Sequence, residues 1–198
     1  MKRICFFLIL PFSIWLFLVP ATEATEAPES AAADEYGYIG NKNCWKCHIK
    51  EFKSWKETKM ASAFDLLKPG QRAKEKRKAG LDPNRDYTQD PECLPCHVTG
   101  YGEPGGFVDI QQSPQLAGVG CEVCHGAGSE YTKDPHMSLK NKEYKLSEVI
   151  QVGLASPVSE ESCTGCHNEK SPFFKEFDFQ ARKDEGTHKV YPLKFKHE

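Results

Sequence analysis

The stretch Cys121–Gly128, "CEVCHGAG", decides how this chain is read. Two cysteines bracket two arbitrary residues, and a histidine follows at once. The same C-x-x-C-H pattern occurs four times: CWKCH at Cys44–His48, CLPCH at Cys93–His97, CEVCH at Cys121–His125 and CTGCH at Cys163–His167. Eight of the nine cysteines lie in these motifs, and the ninth, Cys5, sits in an apolar N-terminal segment. No cysteine is left over for a structural disulfide within the mature body.

The N-terminus sets the compartment. Met1-Lys2-Arg3 is basic, Ile4 to Pro20 is almost wholly apolar, and Ala21, Ala24 and Ala27 supply small residues for cleavage. This is the three-part layout of an export signal, assigned to residues 1–24. The apolar run nears the roughly 17-residue lower limit for a membrane span, so an uncleaved anchor is the competing reading. Pro11 and the alanine-rich tail favour cleavage and a periplasmic protein.

In an oxidising compartment paired cysteines normally mean disulfides. Disulfides do not explain a histidine after every second cysteine. Zinc is a better rival, since four C-x-x-C pairs supply two tetrahedral sulfur sites. The glycines of "CEVCHGAG" even suit a co-chaperone cysteine repeat, but three of the four motifs lack them, and motif starts are separated by 49, 28 and 42 residues. Covalent haem explains the whole pattern. Each thiol adds to one vinyl group of a porphyrin, and the adjacent histidine lies under the iron. Cys44 and Cys47, Cys93 and Cys96, Cys121 and Cys124, and Cys163 and Cys166 then attach four haem c groups. His48, His97, His125 and His167 are the proximal ligands.

Only 39% of residues are apolar, 27% are charged, and the chain carries 15 Gly and 13 Pro. A conventional core is hard to build from this composition, and four porphyrins supply the missing apolar volume. The expected fold class is mainly α: one compact domain of short helices and long loops wrapped around four haems. Residues 25–35 read as a flexible acidic leader and 36–198 as the tetrahaem domain. Apolar spacing from Ile49 to Phe64 predicts one helix, ended at Pro69-Gly70. The basic stretch Lys68–Lys78, with Arg72, Lys74, Lys76 and Arg77, is either a solvated helix face or a docking patch for an acidic partner cytochrome. "GYGEPGGFVDI" predicts a short hairpin, and a helix is expected over 140–154. A net charge of −2 gives no sign of nucleic-acid binding.

Axial ligands are scarce. Only His136, His188 and His197 lie outside the motifs. Four irons cannot all hold two histidines, so at least one takes another ligand or stays open.

Three longer stretches carry a resemblance: "SWKETKMASAFDLLKPG", "LDPNRDYTQDPECLPCHVTGYGEPGGF" and "LAGVGCEVCHGAG". With the motif order and spacing, they resemble the tetrahaem cytochrome c-554 family of ammonia-oxidising bacteria and their relatives. The likeness runs from about Tyr36 to the fourth motif and more weakly into the tail. It implies that His136 caps the first haem, that His188, or failing it His197, caps the fourth, and that the second haem has no distal ligand. The family places a histidine twelve residues after the first proximal histidine, where it caps the third haem. Here that position is Met60, which either ligates through its thioether or fills core space.

The resemblance implies a periplasmic carrier that takes electrons from a hydroxylamine oxidoreductase-like enzyme and passes them to a membrane or soluble cytochrome, within nitrogen-compound oxidation. The alternative is an enzyme that reduces a small gas, nitric oxide, at the open second haem. A third reading is a subunit docked permanently on a larger multihaem enzyme.

Overall fold

Short helices here follow from punctuation and from competition for backbone groups. The structure is a computed structural model and describes residues 36–185 and 187–192. The expected signal, the acidic leader and His197 lie outside the described residues. Among those described, α1 (Asn41–Trp45), α2 (Ile49–Lys56), α3 (Ala73–Lys78), α4 (Leu94–His97), α5 (Cys121–His125), α6 (Leu146–Gln151), α7 (Glu160–Thr164) and α8 (Phe179–Arg182) are helical, with 3-10 turns at Phe64–Leu67 and Pro114–Leu116. No strand forms among them, and the body is a single mainly helical domain. No helix of the described residues is long and apolar enough to cross a membrane.

The single helix expected from Ile49 to Leu67 is broken after Lys56. Tertiary partners take the carbonyls that a continuing helix would use. Met60 O accepts the Val119 N–H at 3.1 Å, and Ala63 O accepts from the His97 ring at 2.6 Å. The chain instead turns and re-enters as the 3-10 turn at Phe64–Leu67. The hairpin is also absent. Gly100 adopts φ +70°, which swings the chain out of strand geometry, and a Cβ on Gly106 would run into the Gly100 carbonyl. What remains of pairing is one antiparallel bridge, Val98 with Ala117. The helix expected over 140–154 shrinks to Leu146–Gln151. Before it, the Ser138 hydroxyl accepts the Lys140 and Asn141 N–H groups, a local alternative to helical bonding.

The apolar core is small and gathers around the second motif. Phe64, Leu67, Tyr87, Leu94, Val98, Phe107 and Leu116 pack together, and the Phe64 and Phe107 rings lie 5.6 Å apart. The basic stretch divides. Arg72, Lys74, Arg77 and Lys78 are exposed, whereas Lys76 is turned inward, over the Tyr87 ring, and donates to Lys68 O at 3.0 Å.

Candidate functional site

Each C-x-x-C-H segment folds as one turn of helix. In the first, the Cys47 and His48 N–H groups both donate to Cys44 O, at 3.2 and 2.9 Å. The fourth repeats this: Cys166 and His167 donate to Cys163 O at 3.2 and 2.9 Å. The second closes with Cys96 donating to Cys93 O at 3.2 Å, and the third is α5 itself. Residues three and four apart share a helix face. The turn therefore sets both thiols side by side and the histidine beside the first of them. All eight thiols are free. Among the described residues no three His, Cys, Asp or Glu side chains converge as metal ligands, so the pairs do not assemble into the tetrahedral sites that zinc needs. The donor set fits covalent haem.

The four motif histidines are held in different ways. The His97 Nδ1–H donates to Ala63 O at 2.6 Å, which leaves Nε2 as the free lone pair. A metal-ligating histidine commonly fixes its tautomer by such a bond. Burial pushes the His97 pKa down, the Ala63 bond partly opposes this, and the Lys76 charge adds to the lowering. The Ala155 N–H donates to the His125 carbonyl at 3.0 Å, and burial, then His188, lowers the His125 pKa. Burial, then the Arg182 charge, lowers that of His167, whose ring stacks on Phe177 at 4.4 Å. Neutral imidazole is the form that ligates iron. His48 sits at the start of α2.

Long-range bonds bring the four turns together. Asn41, buried on α1, accepts the Cys121 N–H at 2.8 Å, and α1 packs on α5. The first motif thus abuts the third. α5 packs on α7, which joins third to fourth. The Cys166 Sγ donates to Pro95 O at 3.9 Å, which joins fourth to second. In space the motifs follow the order one, three, four, two. Thr99 ties the exit of the second motif to the approach of the third: its hydroxyl donates to Gly118 O at 2.9 Å and accepts the Gly120 N–H at 3.0 Å. The Trp55 indole N–H donates to Val119 O at 3.0 Å. Sequence reading missed Asn41, Thr99, the Ala63 carbonyl and the buried Glu122. Polar residues beside motifs carry no local sign that they face inward, and a backbone carbonyl carries none at all.

The candidate distal ligands are less uniform. His136 is half-buried in a loop anchored by the buried Tyr131, whose hydroxyl donates to Gly126 O at 3.1 Å. Burial pushes the Tyr131 pKa up. Met60 is half-buried on the turn after α2, not on a helix. His188 lies against the third motif: its ring centroid is 6.1 Å from that of His125. The Lys189 N–H beside it donates to Ser54 Oγ at 2.7 Å and fastens the tail to α2. Apolar flanks border the first and fourth motifs, with Trp45 and Ile49 at the first and Phe173 and Phe174 after the fourth, all at least 40% exposed. Such flanks suit the faces of porphyrins.

Comparison with known proteins agrees with this geometry. The model of the family described as "Cytochrome c554 and c-prime" matches residues 43–126. A cytochrome c-554 of Nitrosomonas europaea is 38% identical over 154 residues, which are 76% of this chain and 66% of that relative. The chain thus spans just under two-thirds of that relative's length. The solved structure of reduced cytochrome c554 from Nitrosomonas europaea superposes with a TM-score of 0.73 at 34% identity, over 82% of this chain and 90% of that one. The chain belongs to the cytochrome c-554 family and is a tetrahaem c-type cytochrome with four covalently bound haems.

Proposed function

We propose that this protein is a periplasmic electron carrier in nitrogen-compound oxidation, with residues 1–24 removed on export and 36–198 forming the tetrahaem domain. Its donor is a hydroxylamine oxidoreductase-like enzyme and its acceptor a membrane or soluble cytochrome. The observation that carries the reading is the unbroken spatial succession of four motif turns inside one small body. When bound, the haems supply one-electron redox chemistry at each turn. The chain's part is to attach them through the eight thiols, orient the four proximal rings and supply distal ligands. His136 caps the first haem, Met60 the third and His188 the fourth, and the second is left open. In a stopped-flow experiment the oxidised protein should be reduced rapidly by a hydroxylamine oxidoreductase in the presence of hydroxylamine, and then reoxidised by a small acceptor cytochrome. Failure of either half-reaction would overturn the carrier reading.

Two observations favour second readings. The shortage of distal histidines supports nitric oxide reduction at the second haem. Mixing reduced protein with nitric oxide separates the two: multiple turnover marks an enzyme, a stable or inert complex a carrier. The 6.1 Å between the His125 and His188 rings also suits two imidazoles on opposite sides of one iron. In that arrangement His188 serves the third haem instead of the fourth. His188→Gly should turn one haem high-spin, and the identity of that haem, fourth or third, decides between them.

A further inference from the structure

Glu122 is the first residue between the cysteines of the third motif, and it is 2% exposed. Its carboxylate has three backbone partners. Oε1 accepts the Ile39 N–H at 2.9 Å and the Gly128 N–H at 2.8 Å, and Oε2 accepts the Gly40 N–H at 2.7 Å. Every one of these partners donates, which suits an ionised carboxylate, an acceptor-only group. No Lys, Arg or His side chain forms an ion pair with it among the described residues. The Gly40 that it holds precedes α1, which carries Cys44, and Glu122 itself adjoins Cys121.

We propose that Glu122 is a fixed buried anion that lowers the reduction potentials of the haems on the first and third motifs, while its hydrogen bonds clamp residues 39–40 and 128 around the third motif. Reduction adds an electron to a centre beside this charge. Repulsion disfavours the reduced form, and a low local dielectric leaves that repulsion poorly screened. The three N–H groups meet the carboxylate's hydrogen-bonding needs without cancelling its net charge. The placement is selective: Glu122 sits where the first and third motifs meet, whereas the second motif lies at the far end of the spatial succession. The inference depends on haem attachment and holds whether the protein is a carrier or a nitric oxide reductase.

The test is a spectropotentiometric titration of the holoprotein, with individual haems resolved by paramagnetic resonance. Glu122→Gln keeps the shape and removes the charge. Glu122→Asp keeps the charge and shortens the arm, so it harms the clamp more. An electrostatic role predicts that Gln raises the potentials of the first and third haems, that Asp leaves them near the parent values, and that the second haem moves in neither. A purely structural role predicts that Asp perturbs the potentials at least as much as Gln, and that result would overturn the proposal. So would unmoved first and third potentials in a Gln variant carrying four haems. If the Gln variant does not take up four haems, the unaltered protein decides by its redox difference infrared spectrum. Carboxylate bands that shift on reduction support a fixed charge, and a protonated-carboxyl band that appears on reduction overturns it.

Discussion

Met60 stands where a haem ligand is expected and where the chain has left helical geometry, so its two readings give different spectra. A thioether is a softer, less basic donor than imidazole and favours ferrous iron. Ligation therefore predicts the weak near-infrared charge-transfer band of methionine-bound ferric haem in the oxidised protein, and a higher potential for the third haem than for histidine-capped neighbours. Met60→His should abolish the band and lower one potential; if Met60→Ala changes neither spectrum nor potential, the side chain is packing alone. At His97 the ring is fixed by Ala63 and the tally of histidines is short. Carbon monoxide or cyanide should engage about one haem in four. Four low-spin, unreactive haems would mean that a side chain fills the second site.

Elements this short depend on contacts outside themselves, because isolated helices under about 12 residues are marginal in water. Thr99 is 1% exposed and serves two backbone groups at once. Thr99→Val keeps the shape but strands the Gly118 carbonyl and the Gly120 N–H. At about 1–3 kcal/mol for each buried group left unpaired, unfolding of the holoprotein in denaturant should show a loss of at least about 2 kcal/mol. The Ser159 hydroxyl caps α7 by accepting the Ser162 N–H at 3.4 Å, just ahead of the fourth motif. That bond is long and exposed, so Ser159→Ala should cost only about 0.5 kcal/mol, the low end for an N-cap. A loss several times larger would show that the cap also positions the fourth haem.

Across the whole molecule, one cluster of seven buried residues is a small core for the described body. Apolar burial is the main favourable term in folding, and here much of it must come from porphyrin faces. Chain produced without haem attachment should therefore lack a cooperative unfolding transition by circular dichroism. A sharp transition in the haem-free chain would show that the protein core suffices. Intact mass after acid denaturation should show four haem additions, and fewer would contradict the four-site count.

The pattern of cysteines and histidines points to haem before any fold is known. A C-x-x-C-H motif is local: one helical turn fixes both thiols and the histidine, so eight thiols and four histidines could be proposed for haem attachment and proximal ligation with no knowledge of the fold. The mainly helical class was legible too, from composition and motif count together. Element boundaries were not. The helix through Met60 fails because Val119 and His97 claim the Met60 and Ala63 carbonyls, and both claimants are far away in sequence. The hairpin fails because Gly100 and Gly106 make a close crossing that only the folded path reveals. Which motifs meet, through Asn41 to Cys121 and Cys166 to Pro95, and the return of His188 to the third motif follow from the folded path alone. It also turned Glu122 from an arbitrary motif residue into a buried carboxyl group bonded to three distant or looped backbone N–H groups. Hydrogen bonds between residues far apart in the chain leave no periodic trace, and burial of a polar side chain depends on partners that the local sequence does not name.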